Sequence, residues 1–232
     1  MNASKVLIFY LSIFLILSCN SIFAPNSHGN SFGEPHPNPI GNYELIDATS
    51  NTEWKYYRIT DDSLFYIPIM IGDPEDNLNW DIAFQRYHMR TNSGASGNGN
   101  GGAYVDSVET WNGSVFNDLS TLNSTLIYET DRTINTFYNI TNHSFSEGIS
   151  NPALETWARI DTTNNYTMTF SNNKFIVRSS DGQSFYKIWP YDYYDENITS
   201  GYISLVYSLV CRLDACGVCG GESTQSSDCN DN

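Results

Sequence analysis

One stretch of the chain predicts an antiparallel β-hairpin more strongly than any other. Residues 174–178 and 184–189 are rich in aromatic and β-branched side chains, and Ser180-Asp181-Gly182 lies between them. Asp-Gly between two such runs is typical of a tight hairpin turn, because glycine readily adopts the positive φ that the turn needs. The chain is therefore expected to build at least one pair of antiparallel strands here.

Other short runs of the same kind recur along the chain and predict an all-β fold. Apolar and polar side chains alternate with the period of two that strands require, and no long segment has a helical period. The predicted strands cover residues 53–59, 64–69, 79–90, 155–160, 166–170 and 201–210. Residues 131–146 and 191–197 lack clean alternation, and we interpret them as loop and turn. The sequence therefore predicts an all-β, mostly antiparallel sheet or sandwich with few short helices.

The run of residues 79–90 is predicted to be one extended strand whose apolar face includes Trp80, Ile82 and Phe84. A glycine-rich loop, residues 91–103, follows it. Glycine-rich loops bind phosphate when a helix N-terminus and, in many cases, a lysine follow, and this loop has neither. We interpret the loop as a mobile connection between strands.

The N-terminal segment predicts export. Lys5 precedes an apolar run, residues 6–17, which is typical of a signal peptide and too short for a comfortable membrane-spanning helix. The tetrapeptide Ile-Leu-Ser-Cys that ends at Cys19 resembles a bacterial lipobox, which implies cleavage before Cys19 and lipidation of its thiol. The alternative is an ordinary signal peptide that is cleaved after Ala24.

We expect four regions along the chain. Residues 1–18 are the signal peptide, residues 19–42 a proline- and asparagine-rich tether, residues 43–210 the β domain and residues 211–232 a cysteine-rich tail. The formal charge of −15 argues against a nucleic-acid partner, because binding the phosphate backbone requires lysine and arginine.

The tail contains four cysteines at positions 211, 216, 219 and 229. A Cys-x-x-Cys pair can bind zinc, but the oxidising environment of an exported chain favours disulfides. The segment Asp214–Gly221 also resembles short Asp/Cys/Gly modules at the C-termini of marine bacterial surface proteins.

No catalytic motif is recognisable, and we interpret the chain as a binding protein rather than an enzyme. The predicted β domain contains residue types that can ligate haem iron, namely His88, Met89, His143, Tyr166 and Met168. Each of these residues taken singly is more commonly a packed or surface side chain than a ligand.

Two motifs resemble the HmuY family of secreted or lipid-anchored haem-binding proteins of Bacteroidetes-like bacteria. The first is NWDIAFQRYHMRTNSGASGNGNGGA at residues 79–103, and the second is FIVRSSDGQSFYKI at residues 175–188. The resemblance covers residues 43–210 and implies an antiparallel β protein with an apolar cleft. It also implies that haem is held between two side chains on loops at one end, taken from a haem-carrier protein and passed to a TonB-dependent receptor.

The resemblance implies where haem ligands lie in this chain. The family's first ligand lies in the loop region of His143, and its second lies in the segment corresponding to residues 162–170. This segment contains no histidine, so Met168 is the nearest chemical substitute and Tyr166 the next. A thioether is a softer ligand than a second imidazole and raises the reduction potential of the iron. Tyr138, Phe145 and Tyr166 are the expected aromatic walls.

The predicted function is non-covalent binding of haem or a related tetrapyrrole by an outer-membrane or cell-surface lipoprotein, anchored or released, that acts in haem and iron acquisition. The first alternative is a surface lipoprotein that binds a glycan or a protein through its aromatic face, without haem. The second is an adhesive protein that interacts through its cysteine-rich tail. A Soret band that develops with hemin separates the first function from both alternatives.

Overall fold

The computed structural model of the protein describes residues 41–68, 74–106, 126–164 and 166–229. The predicted signal peptide, the lipidation site at Cys19 and almost all of the predicted tether lie outside the described residues. No helix in the described segments is long and apolar enough to cross a membrane.

The described residues form thirteen strands and two short 3₁₀ turns. The strands are β1 (Asn42–Asp47), β2 (Lys55–Ile59), β3 (Leu64–Ile67), β4 (Ile82–Gln85), β5 (His88–Thr91), β6 (Gly102–Asp106), β7 (Arg132–Asn139), β8 (Ser144–Ser150), β9 (Ala158–Asp161), β10 (Thr167–Phe170), β11 (Lys174–Arg178), β12 (Ser184–Tyr194) and β13 (Ser200–Arg212). The 3₁₀ turns are Leu154–Trp157 and Ser226–Asp228.

The strands build two main sheets and two separate hairpins, and their pairs are all antiparallel. One sheet has the order β1-β13-β12-β11-β6 and the other has the order β3-β2-β4-β5. The hairpins are β7–β8 and β9–β10. This arrangement confirms the predicted all-β, mostly antiparallel fold with few short helices.

The main core includes inward-facing side chains of both sheets. Phe175 and Val177 of β11 point into this core, while Ile176 between them points to the opposite face of the sheet. On that opposite face Ile176 packs with Phe185 and with Cys211 of β13. β11 and β12 are buried on both faces almost throughout, which fits their many aromatic and β-branched residues.

The four cysteines of the tail form two disulfides, Cys211–Cys219 and Cys216–Cys229. The preference for disulfides over zinc is therefore confirmed. Cys219 and Leu213 pack against the cluster that Ile176 forms with Phe185 and Cys211, so the first disulfide fastens the tail over the outer face of the five-stranded sheet.

The prediction of one continuous strand over residues 79–90 is wrong. The chain turns at Arg86 and Tyr87, so β4 and β5 form a hairpin in which Gln85 lies opposite His88. Arg86 has a φ of 52°. Its Nη1 donates hydrogen bonds to the carbonyls of Thr49 at 3.1 Å and Ser200 at 3.2 Å. These partners are distant in sequence, so local alternation does not reveal the turn.

The interpretation of residues 131–146 as loop is also wrong, and that of 191–197 as turn is wrong for residues 191–194, whereas the chain does turn at residues 195–197. Residues 131–146 contain β7 and the start of β8, and β12 continues to Tyr194. The β7–β8 hairpin is largely exposed, so its sequence is polar and does not need to alternate. The end of β12 contains register shifts, which disturb its alternation.

The glycine-rich loop is not the free connection that its composition predicts, because it packs around the fully buried Asn92. The Asn92 amide donates to the carbonyls of Asn77 at 2.8 Å and Trp80 at 3.0 Å, and its Oδ1 accepts the N–H of Gly99 at 3.1 Å. A Cβ atom at Gly99 or Gly101 would lie 2.6 or 2.7 Å from the Asn92 carbonyl oxygen. Glycine is therefore required here for close packing.

Candidate ligand-binding site

A cavity of about 670 Å³ lies where the β4–β5 turn, the β7–β8 hairpin and the β9–β10 hairpin meet. Its volume is within the range of roughly 300–1,000 Å³ that is usual for small-molecule and cofactor pockets. Much of its wall is aromatic, and these residues are Tyr87, Phe137, Tyr138, Tyr166, Tyr193 and Tyr194. Ile140, Ile160, Met168 and Ile198 add aliphatic surface. The structure thus contains a cleft whose lining mixes these apolar side chains with polar ones such as Gln85, Asn139 and Ser200.

Four aromatic side chains join the ends of the two hairpins beside this cavity, and we call them the aromatic cluster: Tyr138, His143, Phe145 and Tyr166. The rings of His143 and Tyr166 stack with centroids 4.4 Å apart. Tyr138 is 5.7 Å from Tyr166 and 5.3 Å from Phe145, between ring centroids. Desolvation is the main cause that raises the pKa of the Tyr138 phenol, and Tyr166 raises it further. Tyr138 therefore contributes a neutral phenol to the cluster at neutral pH.

The imidazole of His143 has one nitrogen engaged. Its Nδ1 lies 2.6 Å from the Tyr138 hydroxyl. When Nδ1 carries the proton and donates to this hydroxyl, the lone pair of Nε2 is available for a metal ion, which is the usual arrangement of a ligating histidine. His143 is exposed at the β7–β8 turn, so a ligand can reach it from solvent.

Several residues at or beside the cavity have a backbone conformation that non-glycine residues seldom adopt. His143 and Tyr166 have φ values of 52° and 56°, and the lining residues Arg86 and Ile198 have φ values of 52° and 63°. This left-handed region costs roughly 1–2 kcal/mol for an L-residue. Such strained positions cluster at binding sites, where the rest of the fold holds them in place.

The structure brings together some of the predicted site residues. Tyr166 and Met168 line the cavity, and His143 contacts two lining rings without being part of the lining itself. Met168 lies in β10 opposite Ile160 and is buried, so it belongs to both the hydrophobic core and the cavity wall. Tyr138 is also in the lining, whereas Phe145 packs on it from outside the lining. His143 and Met168 therefore approach the same region from two different hairpins.

His88 has a role that sequence reasoning misses. It lines the cavity, and its Nδ1 lies 3.0 and 3.1 Å from the two carboxylate oxygens of Glu155. Its ring stacks on Phe137 with centroids 3.7 Å apart. Thr136 donates to Glu155 Oε2 at 2.9 Å. Glu155 is 67 positions from His88 in the sequence, so no local signal connects the two residues.

Comparison with known families now identifies the chain. The model of the HmuY protein family matches residues 50–207, which is more than half of the sequence. The chain belongs to the HmuY family. HmuY-family proteins are binding proteins rather than enzymes, and binding of the haem type is their function at the family level. A comparison with curated proteins finds no match.

Solved HmuY-like structures resemble this chain at low sequence identity. An apo HmuY analogue from Tannerella forsythia is 20% identical, with 75% of this chain and 97% of that chain covered and a TM-score of 0.47. A Bacteroides vulgatus protein, provisionally assigned as HmuY-like and heme-binding, is 19% identical, with coverages of 75% and 98% and a TM-score of 0.49. A provisionally assigned lipoprotein from Bacteroides fragilis is 20% identical, with coverages of 71% and 88% and a TM-score of 0.44.

The cavity of this HmuY-family chain has an uneven charge distribution. Of the described residues that line it, none is Asp or Glu, and Arg86 alone carries a permanent charge. Tyr87 and Tyr193 are also in the lining, and burial is the main cause that raises the pKa of each phenol. The chemistry available there is stacking, hydrogen bonding by neutral hydroxyls, coordination by imidazole or thioether, and attraction of an anion to Arg86.

Proposed function

We propose that this chain is an exported lipoprotein that binds haem or a related tetrapyrrole non-covalently in the cavity. The observation that carries the proposal is the contact of His143 with Tyr138 and Tyr166 at a cavity that Met168 also lines. These residues combine one nitrogen ligand, one sulfur ligand and flat aromatic walls, which is the set that a planar iron macrocycle requires. Family membership supports the same proposal.

In this proposal His143 and Met168 are the axial ligands of the iron. Tyr138 orients the imidazole through Nδ1, which leaves Nε2 to coordinate iron. Met168 offers its thioether from β10, and its burial fixes the position of the sulfur. Tyr166 stacks on His143. Insertion of a macrocycle replaces this stacking, and Tyr166 becomes a wall of the occupied site.

No covalent bond changes in this function, which consists of capture and release. The proposed partners are a haem-carrier protein that gives up the ligand and a TonB-dependent receptor that accepts it. The proposed location is the outer membrane or the cell surface, with the lipid on Cys19 as the anchor, although a released form would bind in the same way. A short predicted tether between Cys19 and β1 would let the cavity reach both partners.

A second candidate function is binding of a glycan or a protein without haem. The observation that favours it is the exposure of Phe145 and Tyr166, which are 45% and 42% exposed. Aromatic side chains that remain partly exposed are common in surfaces that bind sugars or other proteins.

A hemin titration of the purified protein separates the two functions. Haem binding predicts a Soret band that shifts and saturates at one equivalent, with sharp bands after reduction that indicate two axial ligands. Binding of glycan or protein alone predicts no Soret shift in either redox state, and this result would remove haem from the proposal.

A further inference from the structure

The cavity carries a positive charge in a strongly acidic protein. The chain has 26 acidic and 11 basic residues, yet the described residues that line the cavity include no carboxylate. Arg86 is the permanently charged member of that lining. The permanent charge in the described lining is therefore opposite in sign to the net charge of the chain, and it attracts an anionic group.

The partners of Arg86 are neutral. Its Nη1 donates to the carbonyls of Thr49 and Ser200, and its Nη2 donates to the Ser200 hydroxyl at 2.9 Å. The guanidinium carbon lies 5.4 Å from the centre of the Tyr193 ring. No described carboxylate forms an ion pair with Arg86, although Lys55 and Arg212 on other parts of the surface each have one. The guanidinium is thus positioned and half-buried, and its charge is not neutralised.

The carboxylate of Glu155 does not take this role. Its oxygens bind Nδ1 of His88 and the Thr136 hydroxyl. Glu155 is not in the cavity lining, and its side chain is only 6% exposed. The described contacts of this carboxylate are with His88 and Thr136 and not with Arg86, so the charge of Arg86 remains available to a ligand.

We propose that Arg86 binds an ionised carboxylate of the tetrapyrrole and so determines which edge of the macrocycle lies at the β4–β5 turn. This inference rests on the proposed function, and it specifies the ligand class as tetrapyrroles with free carboxylates. A half-buried guanidinium with neutral partners gains a charge-assisted hydrogen bond when a carboxylate arrives. The apolar faces of the macrocycle then lie against Tyr138, Tyr166 and Met168, and the anionic edge lies against Arg86 and the neighbouring Ser200.

Metal-free protoporphyrin IX tests this inference because its binding does not depend on the axial ligands. The dicarboxylic acid and its dimethyl ester are each titrated into the wild-type protein, and quenching of tryptophan fluorescence reports binding. We expect the ester to bind about tenfold more weakly, which corresponds to the loss of one charge-assisted hydrogen bond. Equal affinity for the acid and the ester would overturn the inference.

Substitutions at Arg86 then locate the effect. We expect Arg86→Gln to bind the acid as weakly as the ester, while Arg86→Lys retains most of the preference for the acid. Arg159→Gln is the matched control, because Arg159 is an exposed residue of β9 outside the lining. An Arg86→Gln protein that keeps the full preference would overturn the role of Arg86. Should Arg86→Gln not fold, the comparison of acid and ester on wild type and on Arg86→Lys decides.

The results also separate this inference from the proposed function. A saturating Soret shift with hemin, together with equal affinity for the acid and the ester, would support haem binding and contradict the carboxylate site at Arg86. If the wild-type protein binds neither hemin nor protoporphyrin, both the proposed function and the inference about Arg86 are contradicted.

Discussion

Asp81 and Ser180 are joined by a hydrogen bond of 2.7 Å from the backbone N–H of Ser180 to Oδ1 of the Asp81 carboxylate. The other oxygen of Asp81 accepts the backbone N–H of Ile59 at 2.9 Å. Asp81 precedes β4 in the four-stranded sheet, and Ser180 lies in the β11–β12 turn of the five-stranded sheet. The two sequence motifs that indicate the family therefore meet at this carboxylate, which fastens one sheet to the other.

We predict that Asp81→Asn lowers the free energy of unfolding by roughly 1–3 kcal/mol, because an amide offers one acceptor to two buried N–H donors and leaves one of them unpaired. Urea denaturation followed by fluorescence measures the change. Asp62→Asn is the control, since Asp62 is exposed in the β2–β3 turn. Equal stability of the two variants would show that the Asp81 carboxylate does not hold the sheets together.

Asp131 makes the stability of the protein depend on pH. Its buried carboxylate accepts hydrogen bonds from the Thr91 N–H, the Thr91 hydroxyl and the Asn151 amide, but burial dominates and raises its pKa from 3.8 to about 6. Between these two values the folded protein binds the proton more tightly than the unfolded chain. The contribution of Asp131 to stability is therefore greatest below pH 3.8 and is lost as the pH rises through 6.

We predict that the difference in unfolding free energy between wild type and Asp131→Asn falls by on the order of 3 kcal/mol from pH 4 to pH 7, as a pKa raised by about two units implies. Asp161→Asn is a control of opposite sign. A hydrogen bond from Thr163 is the main cause that lowers the pKa of Asp161, so its contribution is present above its unfolded pKa and is lost at low pH. Parallel pH profiles for the two differences would contradict the burial effect at Asp131.

The glycine-rich loop should not tolerate a side chain at Gly99 or Gly101. A Cβ atom there would meet the backbone oxygen of Asn92, which cannot move without breaking the packing of the loop. We predict that Gly101→Ala lowers the unfolding free energy by about 1–3 kcal/mol, which is typical of overpacking. Gly217→Asn is the control, because no atom lies within 4 Å of a Cβ at Gly217 and asparagine tolerates its positive φ. A fully stable Gly101→Ala protein would contradict the close packing.

The two histidines of the β domain should respond differently to substitution. We predict that His88→Gln destabilises the protein by about 1–3 kcal/mol, because it removes the imidazole that contacts both oxygens of the buried Glu155 carboxylate and leaves Thr136 as the remaining partner. The exposed His143 should contribute far less to stability. Conversely, His88→Gln should leave the Soret maximum of the haem complex unchanged. A shifted maximum in His88→Gln would instead make His88 a ligand.

Local patterns predict only part of this fold. The β11–β12 hairpin follows from Asp181-Gly182, because the turn and its alternating flanks are all local in sequence. The β4–β5 turn does not follow from local sequence. The left-handed backbone of Arg86 depends on its hydrogen bonds to Thr49 and Ser200, which are 37 and 114 positions away. The β7–β8 hairpin also cannot be predicted from local patterns, because strands exposed to solvent need not alternate apolar and polar side chains.

The site is predictable to a similar degree. The resemblance to the family points to Tyr166 and Met168, because it implies a ligand within residues 162–170, and both residues line the cavity. The pairing of His88 with Glu155 and the unneutralised charge of Arg86 depend on contacts between segments that are distant in sequence, so no local pattern reveals them.

The most direct test of haem ligation is a hemin titration of wild type, His143→Asn and Met168→Leu, with spectra in the ferric and ferrous states. Asparagine is chosen because it tolerates the φ of 52° at position 143, and leucine because it preserves the packed volume at Met168. We predict two axial ligands in wild type, loss of the shifted Soret band in His143→Asn, and a five-coordinate or altered spectrum in Met168→Leu. Spectra of both variants identical to wild type, or no Soret shift in wild type, would contradict haem ligation by His143 and Met168.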